Sequence, residues 1–507
     1  MKKGNESTTK KGLIGVIWNF SGSIAQILIQ LVIVGVLARL LTPQEFGIVA
    51  VMMILVTFSE LFSHMGIGSA LIQLPVITPK HISLAYTLSL LLGLIMGTLF
   101  YFIAPQVGLF FELKNVDNAI RFFAIFFPLG SFSSITSALL TREMRFSIIV
   151  KCNIISYVFG TGLVSIILAY FDFGFWSLIL GQFAGLVLDL IIMLYYKLPT
   201  FSMRFRKEVV KDLLFFGSGH TLGTVFNYFA ENADNIIIGK SFGPVTMGVY
   251  SKAFQLLAIP SKFFGSIFDK VIFPILSQKQ SQKEKLTAFY LFSTSLCFGI
   301  LAPASILIYI NAQLIVNLLL GPQWDNVILP LKILILGLAF RFGSKINKIY
   351  LKSMGLIYRG AYYNFIFAAL MFGCCYLGGL WYGMPGVAGG VFAATVLNYF
   401  QVGYRLYKNL KFSLSWYALL IIKAFILNLP FLFITLILVY FGITSMWIHF
   451  TISLILYIPV MTYLFFAKRY IIFNVQHIPI INQILQAFPK KIQKIVLRAN
   501  FLNNYNE

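Results

Sequence analysis

The sequence predicts an all-α polytopic membrane protein. Of its 507 residues, 59% are hydrophobic and only 11% are charged, and the mean hydropathy is +0.86. Soluble globular chains are far less apolar. Apolar stretches of about 20 residues, the length of a membrane helix, recur from Leu13 almost to Phe466. Short loops rich in Lys, Arg, Pro and Gly separate them, and the strand-period alternation of a membrane barrel is absent.

Fourteen membrane spans are predicted from these stretches. The first follows a polar start without an A-x-A-like cleavage site, so we expect it to be retained. The seventh, eighth and tenth are long and carry charge. In chain order the predicted spans are 13–37, 47–71, 83–104, 119–140, 147–170, 174–196, 213–239, 248–275, 287–309, 327–351, 361–383, 385–407, 416–441 and 445–467.

The basic loop residues predict the orientation of the chain. They collect in alternate loops, and the opposite set of loops holds only Arg39, Lys114 and Lys240. By the positive-inside rule both termini are cytoplasmic, as an even number of spans requires. The net charge of +23 would suggest nucleic acid in a soluble protein. Here it indicates topology and attraction to anionic membrane lipids instead.

The two halves of the chain carry related stretches. RLLTPQEFGIVAV begins at Arg39 and KSFGPVTMGVYSK at Lys240, and an offset of 201 residues aligns Pro43 with Pro244 and Gly47 with Gly248. This pattern predicts two pseudo-symmetric six-helix bundles of shared orientation, the arrangement of a duplicated transporter. The predicted divisions are a first bundle at 1–200, a second at 201–411, two extra helices at 412–467 and a basic cytoplasmic tail at 468–507.

A polar stripe on the first helix of each half strengthens the repeat. Residues at i, i+4, i+7 and i+11 lie on one helix face. Such residues can line a cavity between bundles or can hold helices together. Because the two stripes match, we favour a cavity lining. The stripes are Asn19, Ser23, Gln26 and Gln30 in the first span and His220, Thr224, Asn227 and Glu231 in the seventh.

The tenth span carries a row of cations. Arg341, Lys345, Lys348 and Lys352 have the spacing of one helix face. Intramembrane cations are costly and usually face a bundle interior or a watery cavity, where a low dielectric strengthens their attraction for anions. We interpret Arg341 and Lys345 as cavity cations. Lys348 and Lys352 approach the headgroup level, where snorkelling explains them.

Three further lysines lie in apolar spans. Lys252 and Lys262 are separated by Pro260 in the eighth span. Each is either a cavity cation or the partner of an acid on the seventh span, and the sequence leaves both interpretations open. Lys423, in the thirteenth span, is a candidate for a groove that holds a lipid tail.

The intramembrane acids are candidates for ion coupling. Glu60 and His64 are four residues apart on one helix face and are suited to exchanging a proton. Glu231 and Asp234 lie within one turn and predict a cation or proton site, or a counter-charge for Lys252. No metal site is predicted, because the four cysteines read as buried small hydrophobes: Cys152, Cys297, Cys374 and Cys375.

Four motifs carry a resemblance to a known family. They are W-N-x-x-G with Trp18 and Asn19, A-R-L-L-T-P-Q-E-F-G at 38–47, A-D-N-I-I-I-G-K-x-x-G-x-x-x-M-G-x-Y-S-K-A at 233–253 and F-P-x-L-S-Q at 273–278. The chain resembles the polysaccharide exporters, the Wzx-type flippases of the multidrug/oligosaccharidyl-lipid/polysaccharide (MOP) superfamily. The similarity is greatest to the colanic-acid and teichuronic-acid exporter branch.

The resemblance implies a fold and a function. It implies a V-shaped, MATE-like pair of six-helix bundles that alternates between inward-open and outward-open states. The expected substrate is undecaprenyl-pyrophosphate-linked oligosaccharide, moved across the bacterial cytoplasmic membrane for O-antigen, capsule or exopolysaccharide biosynthesis. Relatives have a cationic cavity and are thought to use a proton or sodium gradient, without a cofactor. Polysaccharide polymerases and glycosyltransferases are the expected protein partners.

A multidrug antiporter and an enzyme are the alternative functions for such a membrane protein. A small-molecule cation antiporter of the multidrug type would prefer an acidic, aromatic cavity, which the cationic row on the tenth span disfavours. An enzyme acting on lipid-linked sugars would need a catalytic base, a metal site or a large loop. The sequence has no long predicted loop, H-E-x-x-H, D-x-D or glycine-rich phosphate loop. We therefore predict a transporter and not an enzyme.

Overall fold

A computed structural model describes most of the chain. It covers residues 2–64, 66–113, 116–201, 207–267, 283–354 and 357–410, with isolated positions from 412 to 455. Throughout this part the secondary structure is helical and contains no strand. For some helical residues the structure describes the backbone but not the side chain. These residues are 2–20, 63–64, 207–209, 211–223, 262–267, 283–285, 288, 352–353, 357–359 and 361.

Nine α-helices precede residue 200. A π-helical segment, Ser156–Leu163, continues directly from α7 into α8. The helices are α1 Lys2–Leu40, α2 Pro43–His64, α3 Ile67–Gln73, α4 Pro79–Phe110, α5 Asp117–Phe123, α6 Phe126–Arg142, α7 Phe146–Ile155, α8 Val164–Tyr170 and α9 Phe175–Tyr196.

Local sequence explains where these helices begin. At α2 the backbone N–H and hydroxyl of Thr42 donate to Glu45 Oε2 at 2.7 and 2.9 Å, and Pro43 occupies the first helical position. At α4, Thr78 makes the equivalent contacts with His81 Nδ1, and Pro79 follows. Both starts satisfy backbone groups that a helix terminus leaves without an intrahelical partner.

Within the described residues from 207 to 410, six helices follow. A 3₁₀ turn, Pro322–Val327, lies between α12 and α13. Two of the helices are broken at glycines with left-handed backbone angles, Gly243 (φ 75°) and Gly383 (φ 62°), which residues with a side chain rarely adopt. The helices are α10 Lys207–Ile267, α11 Lys283–Ile310, α12 Ala312–Leu319, α13 Ile328–Leu336, α14 Leu338–Ser353 and α15 Ile357–Leu410.

The chain divides into two compact units. The first comprises Met1–Ile267, Val316–Pro330 and Ala361–Val391, and the second comprises Phe268–Ile315, Leu331–Gly360 and Phe392–Glu507. The first unit therefore contains helices from both predicted halves of the duplication. The predicted boundary at residue 200 stays a prediction, because compactness in one conformation does not test a sequence repeat.

Packing and surface in the first unit are those of a membrane protein. A Cβ at Gly160 would lie 2.4 Å from the Cα of Gly185, so α9 and the π-helical segment approach closely, as membrane helices do through small residues. On α4, apolar side chains such as Leu94, Ile95 and Phe102 are exposed. An apolar surface of this kind indicates contact with lipid.

The helix positions agree with the predicted spans over the described residues. Eight helices there are long and apolar enough to cross a membrane, or nine if Pro322–Leu336 and Leu338–Leu351 form one span bent by 45°. Each helix before residue 200 overlaps its predicted span, and the breaks in α10 and α15 separate spans seven from eight and eleven from twelve. Most of the thirteenth span, including Lys423, and most of the fourteenth lie outside the described residues, as does the tail.

Candidate functional site

Lys252 is the most buried of the candidate cations that the structure describes. Its residue exposure is 5%. The ammonium lies 3.5 Å from the centroid of the Phe46 ring and 3.3 Å from Gln255 Oε1. The Phe46 contact is a cation–π interaction, which is strongest where water is excluded. None of the ion pairs among the described residues includes Lys252, so an aromatic ring and an amide stabilise its charge.

A small cavity of about 10 Å³ adjoins Lys252. It brings together Gln30 of the first polar stripe and Lys252 of the eighth span, and the role of each stays a prediction. This volume is about that of one water probe, far below the size of a sugar or pyrophosphate group. The lining also includes Leu31 and Val34 from α1, Gln255, Leu256 and Ile259 from α10, and Leu319 and Leu320.

The two polar stripes are only partly described. On α1, Ser23, Gln26 and Gln30 are half-buried, and on α10, Thr224 and Asn227 are half-buried. The side chains of Asn19 and His220 lie outside the description. Half-burial allows either a cavity lining or helix contact, so the role of the stripes stays a prediction.

Glu231 and Asp234, one turn apart on α10, have different surroundings. Glu231 is exposed and accepts a hydrogen bond from Asn227 Nδ2 at 3.0 Å. Asp234 is fully buried and accepts a hydrogen bond from the Tyr250 hydroxyl at 2.7 Å. Their carboxylates therefore do not share one environment, although both can accept protons or bind a cation.

Glu60 is exposed on α2, whereas the His64 side chain lies outside the description. On the same helix, the Ile54 carbonyl accepts a hydrogen bond from Tyr228, and Phe58 packs against that tyrosine. Glu60 thus lies on a part of α2 that is fixed against α10. The proposed proton exchange between Glu60 and His64 stays a prediction.

The cationic row on the tenth span belongs to the second unit. It lies on α14, which begins directly after the bend at Gly337. Arg341 and Lys348 are half-buried and Lys345 is exposed, whereas the side chains of Lys352 and of Lys262 in α10 lie outside the description. The candidate cations Lys252 and Arg341 therefore occur in different units.

A buried polar network holds the other face of α14. Asn347, fully buried, accepts a hydrogen bond from the Tyr290 hydroxyl at 2.9 Å and donates to the Tyr399 carbonyl at 3.1 Å. The Tyr350 ring packs edge-on against Tyr290. These contacts fix the rotation of α14 within the unit. The sequence analysis did not identify this network, although Asn347 stands inside an apolar span.

Contacts at the turn between α1 and α2 were also missed. Arg39 donates to the carbonyls of Leu318 and Leu319 at 2.7 and 3.2 Å. In return, Trp324 Nε1 donates to the Ala38 carbonyl at 2.8 Å, and Gln323 Nε2 donates to the same oxygen. The ends of α1 and α12 are thus capped by side chains of each other's segment. A tryptophan and an arginine in predicted loops were the available signals.

The glycines aligned by the repeat meet in a reciprocal contact. A Cβ at Gly47 would lie 1.7 Å from the Pro244 carbonyl oxygen, and a Cβ at Gly248 would lie 1.8 Å from the Pro43 carbonyl oxygen. Both distances are too short for any side chain, so the starts of α2 and of the second part of α10 touch backbone to backbone.

Lys240, three residues before the break in α10, forms an ion pair with a residue outside the helices. Its Nζ lies 2.8 Å from Glu112 Oε1 in the segment between α4 and α5. The hydrogen bond and the charge of Lys240 lower the pKa of Glu112. Two of the three basic residues in the sparsely charged set of predicted loops therefore make structural contacts. They are Arg39 and Lys240.

The fold and these contacts define a multi-pass integral membrane protein with charged groups among its helices. Comparison with known proteins identifies it further: the chain belongs to the polysaccharide biosynthesis protein family, whose model matches residues 36–329. It is 23% identical over 439 residues to the lipopolysaccharide biosynthesis protein WzxC of Escherichia coli (strain K12). That similarity covers 85% of this chain and 88% of the relative.

Two solved structures show the same fold. The lipid II flippase MurJ, in an inward closed conformation, matches with a TM-score of 0.70 at 13% identity, covering 90% of this chain and 99% of its own. An inward-facing multidrug resistance MATE family transporter of the MOP superfamily matches with a TM-score of 0.64 at 16% identity, covering 78% and 99%. The predicted MOP fold and the family resemblance are confirmed.

Proposed function

We propose that this protein is a flippase that moves undecaprenyl-pyrophosphate-linked oligosaccharide across the bacterial cytoplasmic membrane by alternating access. The observation that carries the proposal is the family match, which extends from the end of α1 to the start of α13. WzxC, a family relative by name and sequence, is a lipopolysaccharide biosynthesis protein, and MurJ, of the same fold, is a lipid flippase. Both support transport of a lipid-linked sugar.

The cations supply the chemistry that this substrate requires. A pyrophosphate carries several negative charges, and Lys and Arg bind such groups by charge-assisted hydrogen bonds. Lys252 in the first unit and Arg341 and Lys345 in the second are the residues that we assign to this role. The organic cations that a multidrug antiporter carries would be repelled by the same residues, which disfavours that alternative.

Coupling to an ion gradient is assigned to the acids of α10. Glu231 is accessible, and Asp234 is buried beside the Tyr250 hydroxyl. Protonation or cation binding at Asp234 would change this hydrogen bond between the two parts of α10, which are separated by the break at Gly243. Either a proton or a sodium ion fits this role, and Glu60 with His64 forms a second proton-exchanging candidate.

The remaining assignments follow from the charge distribution and the pathway. We assign both termini to the cytoplasmic side, because the basic residues collect in the loops that would share that side. A glycosyltransferase would supply the lipid-linked sugar on that side and a polymerase would consume it on the other. These enzymes are the proposed functional partners.

Reconstitution of the whole chain into proteoliposomes tests the substrate class. We expect translocation of an undecaprenyl-pyrophosphate oligosaccharide headgroup, scored by its accessibility to an enzyme added outside, and no movement of a fluorescent organic cation. Movement of the organic cation without movement of the headgroup would favour the multidrug function. Empty liposomes provide the background for both substrates.

The same vesicles test ion coupling. The double variant Glu231→Gln with Asp234→Asn should lose the stimulation of translocation by an imposed proton or sodium gradient. Asp172→Asn is the matched control, because Asp172 is exposed and its left-handed backbone (φ 58°) suits asparagine. Gradient stimulation that survives in the double variant would remove both acids from the coupling site.

A further inference from the structure

The ends of α1 and α12 are connected by side chains from distant parts of the sequence. Arg39, Gln323 and Trp324, which we call the latch, donate to carbonyls of Ala38, Leu318 and Leu319. In addition, a Cβ at Gly35 would lie 2.7 Å from the Leu319 carbonyl oxygen. The latch therefore satisfies backbone acceptors at two helix ends at once.

The latch is in direct contact with the aromatic ring that holds Lys252. Trp324 is fully buried and meets Phe46 edge to face, with ring centroids 5.5 Å apart. The same Phe46 ring carries the Lys252 ammonium at 3.5 Å. A continuous series of contacts thus runs from the carbonyl end of α1 through Trp324 and Phe46 to the buried cation.

The backbone crossing beside Phe46 seals the same end. Gly47 follows Phe46 directly, and its Cα faces the Pro244 carbonyl with no room for a side chain. The reciprocal contact of Gly248 with Pro43 lies one turn from Lys252. No sugar headgroup can pass between two segments at this distance.

We propose that the latch closes this end of the transport path and, through Phe46, keeps Lys252 away from substrate until it opens. The identity of the substrate group rests on the proposed function, because pyrophosphate is taken as the group that Lys252 would bind. In the present conformation the cavity at Lys252 is only about 10 Å³. Opening the latch must separate Trp324 from Phe46, which frees the ring and the ammonium together.

Thiol labelling tests the latch without any lipid-linked sugar. The four native cysteines are replaced by alanine, and either Val34→Cys or Lys252→Cys provides a reporter thiol at the cavity. A charged, membrane-impermeant thiol reagent is added to each face of the membrane in turn. On the face where α1 ends, adding Trp324→Leu or Arg39→Gln should raise the labelling rate of both reporters about tenfold or more.

Conservative variants separate the latch from general loss of structure. Trp324→Phe keeps the ring against Phe46 but removes the Nε1–H donor to Ala38, so an intermediate labelling rate is expected. Trp381→Phe is the matched control, because Trp381 is 75% exposed, and should leave the rate unchanged. Each variant that is compared must be monodisperse, inserted in the membrane and of normal melting temperature.

The outcomes distinguish the latch from the proposed function. Equal labelling rates in Trp324→Leu, Trp324→Phe, Arg39→Gln and Trp381→Phe would overturn the latch, whatever the protein transports. Faster labelling in the first three supports it. If the wild type then moved no lipid-linked sugar in proteoliposomes, the proposed function and the pyrophosphate role of Lys252 would be rejected, whereas the latch would stand.

Discussion

Lys252 on α10 and the cationic row on α14 place the same kind of charge in different environments. Lys252 is 5% exposed and is held by Phe46 and Gln255. Lys345 is exposed, and Arg341 is half-buried on a helix whose opposite face is fixed by Asn347. Lys252 is buried in this conformation, whereas Arg341 is half-buried and Lys345 is exposed. The comparison teaches that a basic residue in a membrane span does not by itself show whether it meets a ligand in a given state.

The largest effect is expected from the glycines that close the end containing Lys252. Gly47→Ala places a Cβ against the Pro244 carbonyl, and Gly248→Ala does the same against Pro43. Overpacking of this kind costs about 1–3 kcal/mol, so the closed conformation should lose population about tenfold to hundredfold. The labelling rate of Val34→Cys should therefore rise by a similar factor in both variants. The rate of headgroup translocation should also change to a similar extent in both.

Gly373→Ala is the control for these two glycines. Gly373 lies within α15, and a Cβ there would meet nothing within 4 Å. If Gly47→Ala behaved like Gly373→Ala in translocation and labelling, the backbone crossing would not be needed for transport. The burial of Lys252 would then not reflect a closed state that transport requires.

Replacing the sequestered cation should separate stability from transport. In Lys252→Met an apolar side chain of similar length replaces a buried charge, an exchange that is often neutral or stabilising. The melting temperature in detergent should therefore hold or rise, whereas headgroup translocation should fall at least about tenfold, as expected for loss of a charged hydrogen bond to substrate.

An exposed lysine over an aromatic ring provides the control. Lys408 lies 4.8 Å from the Tyr404 ring centroid on the surface of α15, and Lys408→Met should leave translocation unchanged. A drop in the melting temperature of Lys252→Met with normal translocation would show that Lys252 is structural. The two cations of the comparison would then have different functions.

The smallest effect is expected at the exposed ion pair of Lys240 and Glu112. Because Lys240 lowers the pKa of Glu112, the pair stabilises the fold above the unfolded pKa of a glutamate, about 4.3, and loses this effect as the pH falls. Lys240→Met should therefore lower the melting temperature slightly at pH 7, and the difference from wild type should narrow below pH 4.3. Lys240→Arg keeps the charge and should match wild type. A difference that widened in acid would contradict the assigned sign.

The sequence predicted the helices better than the contacts between them. Hydropathy located the spans because lipid requires a minimum apolar length, and the predicted gap between the seventh and eighth spans contains the break at Gly243. The sequence also identified Gln30 and Lys252 as candidate site residues, and both line the small cavity. The latch could not be predicted, because Arg39 and Trp324 bind backbone carbonyls about 280 residues away, and every residue type carries such an acceptor.

The measurement that tests the account most directly is translocation of an undecaprenyl-pyrophosphate oligosaccharide headgroup in proteoliposomes by wild type and Arg341→Ala. Removing one partner of a desolvated charge pair costs about 2–5 kcal/mol, so the variant should be at least about thirtyfold slower. Arg341→Lys should retain part of the rate, and Lys80→Ala, which removes an exposed charge, should be unaffected. Equal rates in wild type and Arg341→Ala, with both proteins folded and inserted, would contradict the claim that the cations of α14 bind the substrate.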